Sequence, residues 1–163
     1  ALSDRDGSAD FNVMAEDQFS SLNAPSSTQD RLFTEQNAVA RTVSVTTRRL
    51  EGMLANELAA VAGTRCLLKL DTQGHDRAVC EGAGAALARM CAVQTELSIR
   101  PIYADATTWR DMIDYLGIAG FIPSAMFANN EGFFPLLVEM DGLFIRRDLV
   151  GGDGASGSTR HEY

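Results

Sequence analysis

The sequence predicts an α/β protein with a mostly parallel sheet and an antiparallel final strand. Short apolar runs typical of strands alternate with longer segments whose apolar residues recur every three or four positions, as in helices. Strands that alternate with helices indicate a parallel sheet with right-handed crossovers. Two consecutive strand-like segments end the pattern before residue 148. We expect these two strands to form an antiparallel edge.

Composition narrows the class of protein. The chain has 163 residues, enough for one domain with a substantial core, and a net charge of −8. This acidic balance argues against a nucleic-acid partner, which would require a basic surface. No apolar run approaches the roughly 20 residues of a membrane-spanning helix, and no segment has the pattern of a secretory signal. We therefore expect no membrane partner.

The cysteines indicate a reducing compartment. The three cysteines are odd in number, have no metal-ligand spacing, and each lies in an apolar context. We therefore expect buried free thiols and a cytoplasmic location. The carboxylates are scattered and give no support for a metal site.

Two strands and one helix are predicted in the N-terminal part. A short strand is indicated over 9–14, and a stretch rich in Ser, Asn and Pro over 20–30 indicates a surface loop. Residues 42–47 alternate β-branched with small polar residues, as a half-buried strand does. Apolar residues at helical spacing over 48–63, closed by Gly63, predict a helix.

The central part contains the two most apolar strands. A buried strand over 66–70 is followed by a polar turn containing glycine and by an alanine-rich helix over about 77–90. A second buried strand is predicted over 91–99.

The C-terminal part begins with a helix over about 107–116, which a threonine caps. A short strand follows, and residues 134–148 supply a last strand or strand pair with Asp141-Gly142 as its turn or bulge. Residues 149–163 lack the apolar content of an ordered segment.

Candidate functional residues cluster after the strand over 66–70. Ligands of open α/β sheets lie beyond the carboxyl ends of the strands, where this sequence has Asp71, Gln73, Gly74 and His75. Asp71 is suited to orient an acceptor hydroxyl or to take its proton, unless it caps the following helix. His75 is either a general base or an exposed turn residue. Gly74 supplies a positive φ or leaves room for a ligand.

Further polar residues lie on and after the next strand. Glu96 interrupts this strand as Lys69 interrupts the preceding one, so the two side chains are candidates for a pair, either structural or lining an acceptor pocket. Arg100 and Tyr103 follow the carboxyl end of the strand and are suited to bind acceptor hydroxyls. We expect Glu96, Arg100 and Tyr103 to bind substrate.

Several motifs follow one another between residue 1 and about residue 148: ALSDRDG, TVSVTTRRLEGML, LLKLDTQGHDRAVCEGA, VQTELSIRPIY and MDGLFIRRD. Their order and spacing resemble the FkbM-type family of S-adenosylmethionine-dependent methyltransferases. The resemblance implies a Rossmann-like class I methyltransferase sheet and S-adenosylmethionine as cofactor. It also implies cofactor contacts for Ala1 and Leu2, which would pack against the adenine, and for Asp71, Gln73 and Gly74.

The resemblance also bears on domain organisation and function. In the family the cofactor rests on a glycine-rich turn between the first strand and a helix, and the glycines of this sequence are not so placed. We therefore expect residues 1–148 to be a C-terminal portion of the domain, followed by a flexible tail over 149–163. The expected function is O-methylation of a small-molecule or glycan hydroxyl, by a fragment inactive alone. The alternative is a non-catalytic α/β module that forms a homo-oligomer through an exposed sheet edge.

Overall fold

The computed structural model describes residues 1–29, 31–54, 65–128 and 135–150. Within these ranges two α-helices have defined bounds, α1 (Asp76–Ala83) and α2 (Trp109–Ile118), and residues 50–54 are also helical. The strands are β1 (Gly7–Met14), β2 (Val39–Thr47), β3 (Cys66–Lys69), β4 (Met90–Ser98), β5 (Phe121–Ala128) and β6 (Glu139–Arg146).

The strands form two sheets. β1 and β2 pair with each other in an antiparallel sheet, and the other four strands form a second sheet in the order β3-β4-β6-β5. β3 and β4 are parallel, whereas β6 lies between β4 and β5 and runs opposite to both. The mixed α/β class and the antiparallel final strand are therefore confirmed. The prediction of a mostly parallel sheet was wrong, because β1 and β2 pair with each other and β6 inserts next to β4. The Rossmann-like identification stays a prediction.

The two predicted helices nearest the central strand differ from their expected bounds. The helix predicted over 77–90 ends at Ala83, because Gly84 has a φ of +49° and its backbone lies against the Glu51 carboxylate. Glu51 Oε1 accepts a hydrogen bond of 2.9 Å from the amide of Ala85, and a 3₁₀ helix follows over Gly84–Arg89. Of the helix predicted over 48–63, residues 50–54 are helical and residues 55–64 lie outside the described residues.

The C-terminal predictions are borne out in part. Thr108 caps α2 and accepts a hydrogen bond of 3.3 Å from the amide of Asp111, as expected. The Asp141-Gly142 pair is not a turn, because it lies within β6, where a Cβ on Gly142 would come within 2.7 Å of the Leu97 and Phe144 side chains. Glycine is therefore required there for close packing. Of the predicted tail, residues 151–163 lie outside the described residues.

Two apolar clusters position the functional region. The main core packs α1 and α2 against the four-stranded sheet, with Val79, Leu97, Leu116 and Phe144 fully buried. A smaller cluster lies under the loops that follow β1 and β4 and buries its five central members, Met14, Phe33, Ile102, Tyr103 and Val138. No helix in the described ranges is long and apolar enough to cross a bilayer.

Candidate functional site

A groove of about 1020 Å³ lies at the carboxyl ends of β3 and β4, between this edge of the larger sheet and the segment that follows β1. Its apolar wall consists of Phe11, Phe19, Phe33, Ile102 and Val138. Its acidic residues are Glu16, Asp17, Asp71, Glu96, Glu139 and Asp141. Lys69 and Gln73 also line it. The groove therefore combines an apolar face with a markedly acidic one.

Strand register brings the carboxylates together. Glu96 on β4 is directly opposite Asp141 on β6. On the other side of β4, Lys69 pairs with Gln94, so Asp71, two residues later, comes level with Glu96. Carboxyl groups from β4, from β6 and from the turn after β3 thus meet at the same end of the sheet. Such like charges repel unless some of them are protonated or neutralised.

Burial and this crowding change the acidity of Glu96. Burial raises the pKa of Glu96 to about 8, and the carboxylates of Glu139, Asp71, Asp76 and Asp141 contribute to this rise in the same direction. Burial also raises the pKa of Glu139, with Asp71 as the next cause. Glu96 is therefore largely protonated at neutral pH. A titratable group perturbed in this way inside a groove is typical of functional sites.

Asp71 is placed to act in the groove. Its side chain is 52% exposed, with Oδ2 3.3 Å from the Lys69 ammonium and Oδ1 accepting a hydrogen bond of 3.2 Å from the Gln73 amide. The alternative role of holding the turn belongs to Asp76, which accepts hydrogen bonds from the Thr72 amide and hydroxyl. Asp76 also accepts from the Thr95 hydroxyl at 2.6 Å. Asp71 therefore presents its carboxylate to the groove.

His75 lies at the start of α1, outside the groove wall. Asn23 donates from its side-chain nitrogen to the carbonyl groups of Gly74 and Ala104, so its Oδ1 faces the ring and accepts from His75 Nδ1 at 2.8 Å. Ser3 Oγ lies 3.0 Å from Nε2. Burial lowers the pKa of His75, which favours the neutral ring. This placement joins three segments of the chain and gives no support to a general-base role.

Tyr103 and Gly74 stabilise the turn over residues 71–75. Tyr103 is buried, and its hydroxyl lies 2.8 Å from Gln73 Oε1 and 2.9 Å from the Phe19 carbonyl oxygen. Gly74 has a φ of +85°, as the sequence predicted, and a Cβ there would lie 2.9 Å from the Tyr103 ring. Glycine is therefore needed for both the backbone conformation and the contact. Tyr103 contacts the turn, so its substrate-binding role stays a prediction.

The remaining predicted residues lie elsewhere. The N-terminal amine of Ala1 donates to the Thr46 carbonyl oxygen at 2.8 Å, and Leu2 packs against the main core. The Arg100 side chain is exposed, outside the groove wall. The structure thus brings Asp71, Gln73 and Glu96 together and leaves these three residues apart from them. Their binding roles stay predictions.

The sequence reasoning missed part of the acidic face. The sequence predicts a last strand at Glu139 and a turn or bulge at Asp141, with no functional role for either residue, yet both line the groove. Acidic residues two apart in a strand share one face, and that alternation was the available signal. Phe19 and Phe33 lie in segments too polar for sequence patterning to place. In the part of the chain that the structure describes, no three His, Cys, Asp or Glu residues are arranged to hold a metal ion.

Comparison with known proteins bears directly on the family. A model of the methyltransferase FkbM domain matches residues 1–123, which include the turn with Asp71 and the strand with Glu96. No curated protein and no solved structure matches the chain. The matched region covers most of the 163 residues and contains most of the motifs on which the resemblance was based. The chain therefore belongs to the FkbM methyltransferase domain family.

Proposed function

We propose that this chain provides the acceptor side of an S-adenosylmethionine-dependent O-methyltransferase that acts on a small-molecule or glycan hydroxyl. The observation that carries the proposal is the Asp71 carboxylate, half exposed in a groove at the carboxyl end of β3, in a member of a methyltransferase family. Ligands of open α/β sheets bind at such strand ends.

The acidic face of the groove fits the sulfonium end of the cofactor. When bound, S-adenosylmethionine supplies a methyl group on a positively charged sulfur, which keeps the electron pair of the broken C–S bond. Carboxylates attract a cation of this kind. Asp71 is the carboxylate that we expect to lie nearest to it, with the largely protonated carboxyl group of Glu96 beside it. Adenine contacts from Ala1 and Leu2, and a glycine-rich half of the domain N-terminal to them that binds the rest of the cofactor, belong to the same proposal.

Asp71 is the proposed general base. Its two oxygens each lie near a donor, Lys69 Nζ at 3.3 Å and Gln73 Nε2 at 3.2 Å, and these two contacts hold the carboxyl group in the groove. As the acceptor oxygen forms its bond to the methyl carbon, Asp71 takes the hydroxyl proton. General-base catalysis typically contributes about 10²–10⁴-fold. Holding the acceptor in line accounts for much of the remaining acceleration.

The groove also supports an acceptor class. Its aromatic side, which includes Phe19 and Phe33, suits an apolar ring face, and its carboxyl groups accept hydrogen bonds from hydroxyl groups. The acidic residues disfavour acceptors that carry phosphate, sulfate or carboxylate. A neutral sugar or alcohol is therefore the proposed acceptor.

Replacing Asp71 with Asn tests this proposal. The variant keeps the shape of the side chain and loses the base, so we expect turnover to fall at least tenfold while the thermal unfolding midpoint is retained. The assay uses the full-length protein encoded by the gene. It follows radiolabelled methyl transfer from S-adenosylmethionine to a panel of neutral sugars and alcohols. The matched control is Glu81→Gln, which removes a carboxylate paired with Arg77 on α1. Turnover equal to that of the control would remove Asp71 from the mechanism.

A second candidate function is association through a sheet edge. β3 is a terminal strand of the four-stranded sheet in the described part of the chain, and its Leu67 is 55% exposed. Exposed strand edges pair with other strands, so this alternative proposes a homo-oligomer. Sedimentation equilibrium distinguishes the two functions: the alternative requires a dimer at micromolar concentration, and a monomer at that concentration contradicts it.

We also propose a cytoplasmic location. Among the described residues, Cys66, Cys80 and Cys91 form no disulfide with one another, which fits a reducing compartment. Cys80 is buried, and burial raises its pKa to about 12, so it behaves as a small apolar core residue.

A further inference from the structure

The side-chain amide of Gln73 lies at the centre of the polar network in the groove. Its Nε2 is 3.2 Å from Asp71 Oδ1 and 3.1 Å from Glu96 Oε2, and its Oε1 is 2.8 Å from the Tyr103 hydroxyl. The Tyr103 hydroxyl donates to the amide oxygen, which turns the amide nitrogen toward the oxygens of Asp71 and Glu96. The network therefore fixes the orientation of the amide.

Tyr103 provides a rigid anchor for this amide. Its side chain is buried, with 2% exposed, and its single hydroxyl proton is available to Gln73 Oε1 or to the Phe19 carbonyl oxygen. The ring also contacts the backbone at Gly74. Tyr103 thus holds the turn and the end of the Gln73 side chain together.

The backbone of Gln73 is held in a conformation that side chains rarely adopt. Its φ is +52°, which costs free energy for a residue other than glycine. The Ser21 hydroxyl donates a hydrogen bond of 2.7 Å to the Gln73 carbonyl oxygen and fixes this conformation. Strained backbone that persists in a groove points to a functional constraint on the side chain it carries.

We propose that Gln73, aimed by Tyr103, is a positioning residue that holds the Asp71 carboxylate beside Glu96 for removal of the acceptor proton. This inference rests on the proposed function and deepens it. Without the amide, the exposed Asp71 side chain would keep its contact with the exposed Lys69 ammonium but lose the hydrogen bond that holds it on the side of Glu96. Gln73 thereby keeps the base where the acceptor hydroxyl is expected.

Two variants test the proposal. Gln73→Met removes both donated hydrogen bonds at nearly constant shape, and Tyr103→Phe removes one oxygen and leaves the amide without its anchor. The control is Gln94→Met, on β4 and outside the groove wall. If Gln73→Met fails to fold, the test is made with Tyr103→Phe. This variant keeps the aromatic ring in the smaller apolar cluster, so we expect it to fold.

The first readout needs no activity. Carbon-13 NMR follows the titration of the Glu96 side-chain carboxyl, which faces Lys69 and the carboxyls of Asp71, Asp76, Glu139 and Asp141. Loss of the hydrogen bond that Gln73 donates disfavours the charged form of Glu96, so its midpoint should rise by about one pH unit. A Glu96 midpoint equal to that of the control would overturn the proposal.

The second readout is the rate of methyl transfer by the full-length protein encoded by the gene. It is measured with radiolabelled S-adenosylmethionine and a panel of neutral sugars. We expect kcat to fall at least tenfold in Gln73→Met with KM for the cofactor changed less than twofold. A rise in KM with kcat unchanged would contradict a positioning role for Gln73. Asp71→Asn separates the two proposals: if it abolishes turnover while Gln73→Met does not, only the positioning inference fails. If Asp71→Asn is fully active, the proposed base fails.

Discussion

Replacing Glu96 with Gln should change how the stability of the protein depends on pH. In the folded chain the pKa of Glu96 is raised from 4.5 to about 8, first by burial and then by the carboxylates around it. The folded state therefore prefers the protonated side chain. This preference contributes stability that is fully present below pH 4.5 and is lost as the pH rises through 8. The amide introduced by Glu96→Gln is neutral at every pH and retains an oxygen that can accept from Gln73.

The size of the effect follows from the pKa difference. A rise from 4.5 to about 8 corresponds to an upper limit of about 5 kcal/mol of unfolding free energy. Between pH 5 and pH 9 the Glu96→Gln variant should therefore gain at least about 2 kcal/mol relative to the natural chain. Urea unfolding at half-unit pH steps measures this difference, because other titrating groups largely cancel in the comparison. Glu81→Gln is the control for loss of one exposed carboxylate. Parallel stability curves for Glu96→Gln and the natural chain would refute a half-buried Glu96 that is protonated in the folded state.

Two further predictions concern the turn beneath the groove. Gly74→Ala should destabilise the chain by about 1–3 kcal/mol in urea unfolding, because of its φ of +85° and its contact with Tyr103; an unchanged midpoint would contradict this close contact. The pKa of His75 is lowered by burial, so the stability from its neutral ring is present above pH 6.5 and lost as the pH falls. His75→Gln should flatten the loss of stability between pH 7 and pH 5, and an identical slope would show that His75 does not titrate with folding.

Sequence patterning identified the elements that carry strong periodicity. β4 and α2 were predicted to within two residues at each end, because a continuous apolar run and an apolar helical face are local signals. The turn over residues 71–75 was also correctly placed at a strand end. The positive φ of Gly74 followed from its position in that turn.

The parts that sequence patterning missed depend on long-range packing. Nothing local shows that β6 would insert between β4 and β5, yet this insertion places Asp141 opposite Glu96. The sequence predicts a turn or bulge at Gly142, although glycine is required there by the close approach of Leu97 and Phe144. The side-chain contacts of Gln73 join residues up to 30 positions apart. The sequence therefore identified Asp71, Gln73 and Glu96 as members of the site, but neither their contacts nor the carboxyl groups that β6 adds to them.

We propose that methyl transfer takes place at the groove beside Asp71 and Glu96. Hydrogen–deuterium exchange of the full-length protein encoded by the gene, with and without S-adenosylmethionine, locates the cofactor on the chain. We expect the cofactor to slow exchange in peptides covering residues 67–76 and 94–98. Protection confined to other parts of the chain, with these two segments unchanged, would contradict it.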